Sequence, residues 1–291
     1  MQSPEGEEGK KLASKDPENA GECQNPKTFD DILLHLGEFG RYQRWVYFFL
    51  FVPTIFSAMQ KLAWVFLGAT VDHRCLLPGE SEDNALFDDI MENNNTFIND
   101  QCSYIRAEDG NETSCDRGWV YDRSVFGSSA VMDWDLVCDS QALRATAQAL
   151  FMVGVFIGSY VFGDLSDRFG RKPTFILSIM LQFVFGITSA IAPEYWSFTM
   201  ARMFVGMTTS GVFLVSYVLA LETVGPRFRV LAGTLCQYYY TFGFFLMALV
   251  AYFLNSDWKM LQIVLTAPTI LFLSYWWVMP ESIRWLIRKR R

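Results

Sequence analysis

Apolar residues in this chain are gathered into six runs, at about 45–69, 143–163, 174–192, 197–221, 230–254 and 259–279. Each run has roughly the 20 residues that a helix needs to cross about 30 Å of hydrocarbon. Neither the period-two alternation of a half-buried strand nor the narrow apolar stripe of a surface helix governs them. The pattern therefore predicts an all-α membrane protein with six transmembrane helices. The polar stretches between the runs are unequal. One is long, 70–142, and the others are short links or turns.

The short links set the orientation. Arg41 and Arg44 precede the first run, Arg168, Arg171 and Lys172 follow the second, Arg227 and Arg229 follow the fourth, and 280–291 is strongly basic. All of these fall on one side of a six-span arrangement, and the positive-inside rule makes that side cytosolic. Both termini are then inside, and 70–142 is extracellular. Residues 1–44 read as a cytosolic tail whose first 26 or so residues lack an apolar stretch and have a disordered composition. The first run is too long for the core of a signal peptide, so it is expected to remain as a span.

The long loop carries Cys75, Cys102, Cys115 and Cys138, four of the six cysteines. In an oxidising compartment an even count favours disulfides over metal binding, and four cysteines permit three connectivities. Two glycosylation sequons, at Asn94 and Asn111, lie in the same loop. Cys23 and Cys236 read as free thiols.

Composition narrows the function. Hydrophobic residues make up 51% of the chain and charged ones 19%, so charge is scarce and confined to blocks between the runs. The formal charge of −7 comes largely from acids between Asp72 and Asp139. There is no basic patch interleaved with aromatics outside the membrane flanks, which argues against nucleic-acid binding. His35 and His73 lie on opposite sides of the first span, and there is no Walker-type glycine loop, so an enzyme, a metal site, a cofactor or ATP-driven pumping is not expected.

Between the second and third runs stands Gly163-Asp164-Leu165-Ser166-Asp167-Arg168-Phe169-Gly170-Arg171-Lys172. Gly163 permits close helix approach and Gly170 a tight turn. Asp167 can accept from a helix N-terminus or pair with an arginine. The segment resembles the signature loop of the major facilitator superfamily. Pro280-Glu281-Ser282-Ile283-Arg284-Trp285-Leu286 resembles the sequence that closes the first half of sugar and organic-ion transporters. The resemblance implies a conformational latch on the cytosolic side, built from Gly163, Asp167, Arg168, Gly170, Arg171, Glu222, Arg229, Glu281 and Arg284. Leu36-Gly37-Glu38-Phe39-Gly40, Asp72-His73-Arg74-Cys75 and Asp133-Trp134-Asp135-Leu136-Val137-Cys138-Asp139 are similar to the organic cation and carnitine transporters, and most to the insect members.

That resemblance implies the N-terminal half of a twelve-helix transporter, with a substrate site near mid-membrane. Lys61 is the sharpest candidate, because an ionisable group inside a span is costly. It would suit the carboxylate of a zwitterion, or it would snorkel to the headgroups. Aligned with the family, Phe213, Tyr217 and Gln237 fall at cavity-lining positions, and rings there can hold a cation through their faces. The expected function is alternating-access transport of organic cations or carnitine-like zwitterions, with a small-molecule substrate, the lipid bilayer and a missing C-terminal half as partners. The rival expectation is a truncated, non-transporting protein that pairs with or interferes with a full-length transporter.

Overall fold

The computed structural model describes residues 40–76, 87, 96–98, 102–105, 111–254 and 257–289. Cys23, His35 and the sequon at Asn94 lie outside the described residues. Among the described residues, six helices are long and apolar enough to cross a membrane. The first consists of α1 (Arg41–Leu62) continued by α2 (Trp64–Leu67). The next four are α4 (Gln141–Phe169), α5 (Arg171–Ala190), α6 (Tyr195–Thr223) and α7 (Arg229–Phe253). The sixth comprises α8 (Trp258–Thr266), a 3-10 stretch (Ala267–Ser274) and α9 (Tyr275–Val278). A final short helix, α10, spans Ile283–Lys289. A helix satisfies its own backbone, which is why the apolar runs take this form.

Helix limits differ from the apolar runs at three places. The second span does not stop at Gly163 but continues as helix to Phe169, so the signature segment is a helix, a single glycine and another helix rather than a loop. The sixth span loses α-geometry after Thr266 because Pro268 has no N–H to give to the preceding turn. The closing basic segment is helical rather than a bare tail.

The long loop also contains strand, which its composition does not reveal. β1 (His73–Cys75) pairs antiparallel with β5 (Trp119–Tyr121), with Arg74 opposite Val120. β2 (Thr96–Ile98), β3 (Ser103–Ile105) and β4 (Glu112–Ser114) form a second antiparallel sheet. Two disulfides, Cys75–Cys115 and Cys102–Cys138, tie these pieces together, with Cα separations of 5.1 and 5.8 Å. Short α3 (Ala130–Asp133) is capped by the Ser129 hydroxyl, which accepts from the Met132 N–H.

The loop is seated on the bundle. Asp133 accepts from Trp258 Nε1 at 3.1 Å and pairs with Lys259 Nζ at 2.8 Å. Trp134 packs its ring against Phe198 (4.8 Å) and Trp258 (5.2 Å), closing the near ends of α6 and α8. We call this end the loop face, and the opposite end, which carries the signature segment, the motif face.

Two apolar clusters fill the bundle. One, toward the motif face, includes Leu50, Phe51, Phe175, Val212 and Val215. The other, toward the loop face, includes Met59, Leu67, Phe198, Met247 and Leu265. The tightest seam joins α4 to α6. A Cβ at Gly154 would lie 2.0 Å from the Met203 carbonyl oxygen, and one at Gly158 would lie 2.1 Å from that of Met207. Backbone-to-backbone approach of this kind needs residues without side chains. Gly163 is different. A Cβ there would meet only Leu214, at an ordinary 3.6 Å, so close helix approach does not explain it.

Candidate functional site

The motif face is organised around Arg171, the first residue of α5. Its chain direction is set by Gly170, whose φ of +114° is a conformation that side chains resist. A Cβ on Gly170 would also come within 2.9 Å of a Glu281 carboxylate oxygen. The Arg171 guanidinium donates to Asp167 at 2.5 Å, to the Ser166 hydroxyl at 2.8 Å and to both oxygens of Glu222, at 3.2 and 3.4 Å. Arg171 and Glu222 are both nearly buried, so their pairing replaces lost water on each.

Glu281 performs the other role expected at this corner. Its Oε1 accepts from the backbone N–H groups of Arg171 (2.9 Å) and Lys172 (3.1 Å), two of the four donors that a helix start leaves unpaired. Of the two roles open to Asp167, the structure gives it the arginine and gives the helix N-terminus to Glu281. Ser282 donates to Glu222 at 2.6 Å, and Trp285 Nε1 donates to the Asp167 carbonyl at 2.9 Å. Thus the segment after the sixth span grips the corner between the second and third and also the end of the fourth.

Not every expected member joins this network. Arg168 turns outward and pairs with Asp164 at 2.9 Å on the exposed side of α4. Arg284 is exposed and makes no ion pair among the described residues. Arg229 stands half-buried at the start of α7. Gly163 sits one turn before Asp167 and contributes its carbonyl to the Ser166 hydroxyl.

A second group lies inside the membrane. Lys61, in the last turn of α1, places Nζ 6.0 Å from the centre of the Tyr240 ring. Tyr240 meets Phe213 edge-on at 5.0 Å, and Phe213 stacks on Tyr217 at 6.2 Å with planes 17° apart. The lysine and two of the three expected aromatic or amide residues are therefore linked through a tyrosine that the sequence did not single out. Of the run 238–240, Tyr238 is exposed and Tyr239 packs on Phe51 at 5.7 Å, leaving Tyr240 to face Lys61. Gln237 is exposed on α7.

The apolar runs hold further buried polar groups. Arg202 on α6 is 1% exposed, and its guanidinium carbon lies 4.9, 5.2 and 5.8 Å from the ring centres of Trp64, Phe151 and Phe198. Three π-faces partly compensate a cation taken out of water. Gln60, Gln262 and Thr266 join α1 to α8, with Gln60 Nε2 donating to Thr266 Oγ1 at 3.0 Å and Gln262 Nε2 to Gln60 Oε1 at 3.2 Å. The signal for all four was available, since a polar group within an apolar run demands an internal partner.

At the loop face, His73 Nε2 stands 3.6 Å from Cys138 Sγ, in an open cavity of about 310 Å³. The sulfur atoms near it belong to the Cys102–Cys138 bridge and are not thiolate ligands. Tyr121 donates to Asp135 at 2.8 Å, and burial followed by that carboxylate pushes the phenol pKa above its usual range. Asn111 is exposed, as a glycan acceptor requires. Cys236 is a buried free thiol in α7.

A six-helix bundle with its second-to-third corner gripped from the fourth and sixth spans is the half-fold of a major facilitator. A solved structure of that superfamily, the proton:xylose symporter XylE bound to 6-bromo-6-deoxy-D-glucose, superposes with a TM-score of 0.56 at 19% identity, covering 85% of this chain and 47% of that one. The chain belongs to the sugar (and other) transporter family, which it matches over residues 90–291. It is 47% identical over 275 residues to an organic cation transporter protein of Drosophila melanogaster, covering 90% of this chain and 50% of that protein. To the organic cation/carnitine transporter 2 of Mus musculus it is 33% identical over 289 residues, covering 91% and 52%. The chain spans about half the length of the curated relatives it matches.

Proposed function

We propose that this chain forms the N-terminal half of an alternating-access transporter for organic cations or carnitine-like zwitterions. We place it in the plasma membrane, with the motif face cytosolic and the loop face outside. The observation that carries the substrate reading is the Lys61–Tyr240–Phe213–Tyr217 row, which offers one cation and three ring faces within the membrane. A zwitterion would present its carboxylate to Lys61 and its quaternary ammonium to the rings. The names of the two relatives, an organic cation transporter and an organic cation/carnitine transporter, support such a substrate class.

The Arg171 network supplies the means of alternation. It joins α4, α5, α6 and the segment after α9 at one face. In this reading it holds the cytosolic end in one state and opens when the other state forms. Several coupled polar contacts can set a gap of a few kcal/mol between states, which a ligand can then bias.

Uptake of labelled tetraethylammonium and carnitine would be measured in cells expressing this chain alone and with a complementary six-helix half, with surface expression matched. Saturable uptake requiring the added half supports the proposal. No uptake of either compound from a correctly delivered pair sinks it. Lys61→Met is expected to lower carnitine uptake at least about tenfold while sparing tetraethylammonium, since only the zwitterion loses a charged partner. Equal losses for both compounds would remove Lys61 from substrate recognition.

A further inference from the structure

The short helix α10 has an arrangement that the transport reading does not use. At about 100° per residue, Ile283, Leu286 and Ile287 share one stripe, and Trp285 lies opposite. Trp285 faces the protein, donating to the Asp167 carbonyl at 2.9 Å. The apolar stripe therefore faces away from the bundle, and its members are 58%, 45% and 44% exposed. Arg284 borders the stripe on one side and Lys289 on the other, Arg288 follows Arg284 further round, and Lys289 Nζ lies 4.6 Å from the centre of the Trp285 ring.

This helix sits where a bilayer surface would be. It follows the sixth span after only four residues, 279–282. Trp276 and Trp277, at the end of that span, are 50% and 82% exposed, as rings at the headgroup level are. Lys172 lies 5.4 Å from the Trp276 ring centre, adding a further cation at the same level.

We infer that α10 is a binding site for anionic phospholipid. Acyl chains cover the Ile283–Leu286–Ile287 stripe while the headgroup phosphates meet Arg284, Arg288 and Lys289. The charge complementarity decides the occupant. A purely apolar protein surface would leave three cations without counter-charge, and a neutral lipid would leave them competing only for zwitterionic phosphates. Amphipathic helices with basic borders lie in the interface for this reason, and each such cation adds to attraction for an anionic surface. The inference rests on the membrane-spanning arrangement and not on transport, so failure of one leaves the other standing.

The test uses the full chain in nanodiscs of phosphatidylcholine alone or with a minority of phosphatidylglycerol. Backbone amide exchange over α10 is followed by mass spectrometry. Exchange should slow about tenfold with phosphatidylglycerol, an effect that high salt reduces. The R284Q/R288Q/K289Q variant should lose the difference while melting only slightly below the parent temperature, because all three side chains are exposed and the Lys289 contact with the Trp285 ring is a surface one. Equal exchange in both bilayers overturns the inference. So does a triple variant that keeps the full effect. Protection that appears only when a complementary six-helix half is added shows that protein covers the stripe, and likewise overturns it.

Discussion

At the scale of single residues, the structure separates glycines that look alike in sequence. Gly158 has the Met207 backbone where a side chain would go, and Gly163 has room. Gly158→Val should therefore cost about 1–3 kcal/mol through forced separation of α4 and α6, read as a lower melting temperature in detergent. Gly163→Ala should be neutral or stabilising, by up to about 1 kcal/mol, because alanine is the better helix former. The same contrast applies to charges. Glu222→Gln leaves a nearly buried guanidinium short of its carboxylate and should cost about 1–3 kcal/mol. Asp164→Asn breaks the exposed pair with Arg168 and should change stability by less than about 0.5 kcal/mol. Thermal melts of the two variants side by side decide whether burial sets the difference.

Among the elements, the corner between α4 and α5 shows why one glycine can organise a face. Gly170 turns the chain through positive φ, which aims the first N–H groups of α5 at Glu281. Periodicity could not show this, because the apolar run ends at Gly163 while the helix goes on for six residues more. The long loop is a second case. Its cysteines left three pairings open, and the structure joins Cys75 to Cys115 and Cys102 to Cys138, although the β3–β4 register sets Cys102 beside Cys115. Peptides from a non-reducing digest should be linked in those two pairs. Removing either bridge should destabilise the loop by about 2–4 kcal/mol, the usual worth of closing a loop of such length. Limited proteolysis of Cys75→Ser/Cys115→Ser and Cys102→Ser/Cys138→Ser would show it as faster cleavage within 70–142.

For the whole molecule, burial is distributed unevenly over the six spans. The first is the most enclosed, whereas α4 and α7 are the most open. Phe156 and Tyr160 on α4, and Tyr238 and Phe245 on α7, are all more than 60% exposed. If a second six-helix half completes the transporter, these rings form the seam. A membrane-soluble photoreactive probe should then label them in the chain alone and spare them when the complementary half is present. Labelling of Met180 and Leu271, exposed on the third and sixth spans rather than on α4 or α7, should not change. Labelling of all six positions regardless of the added half would falsify the assembly.

The sequence by itself determined the membrane class, the six spans and the family, because crossing hydrocarbon demands long apolar runs and the signature residues are contiguous. It also singled out most members of the charge network, since charged residues are rare enough here to be conspicuous. Tertiary structure alone decided which of them meet. Arg168 and Arg171 are three residues apart, yet one faces outward and the other is buried against Glu222, because Gly170 breaks the helix between them. It likewise chose Tyr240 from three consecutive tyrosines, and it enclosed Arg202 among three rings drawn from the first, second and fourth spans. Hydropathy fixes how deep a residue lies in the membrane. Its direction around the helix is set by the neighbours against which that helix packs.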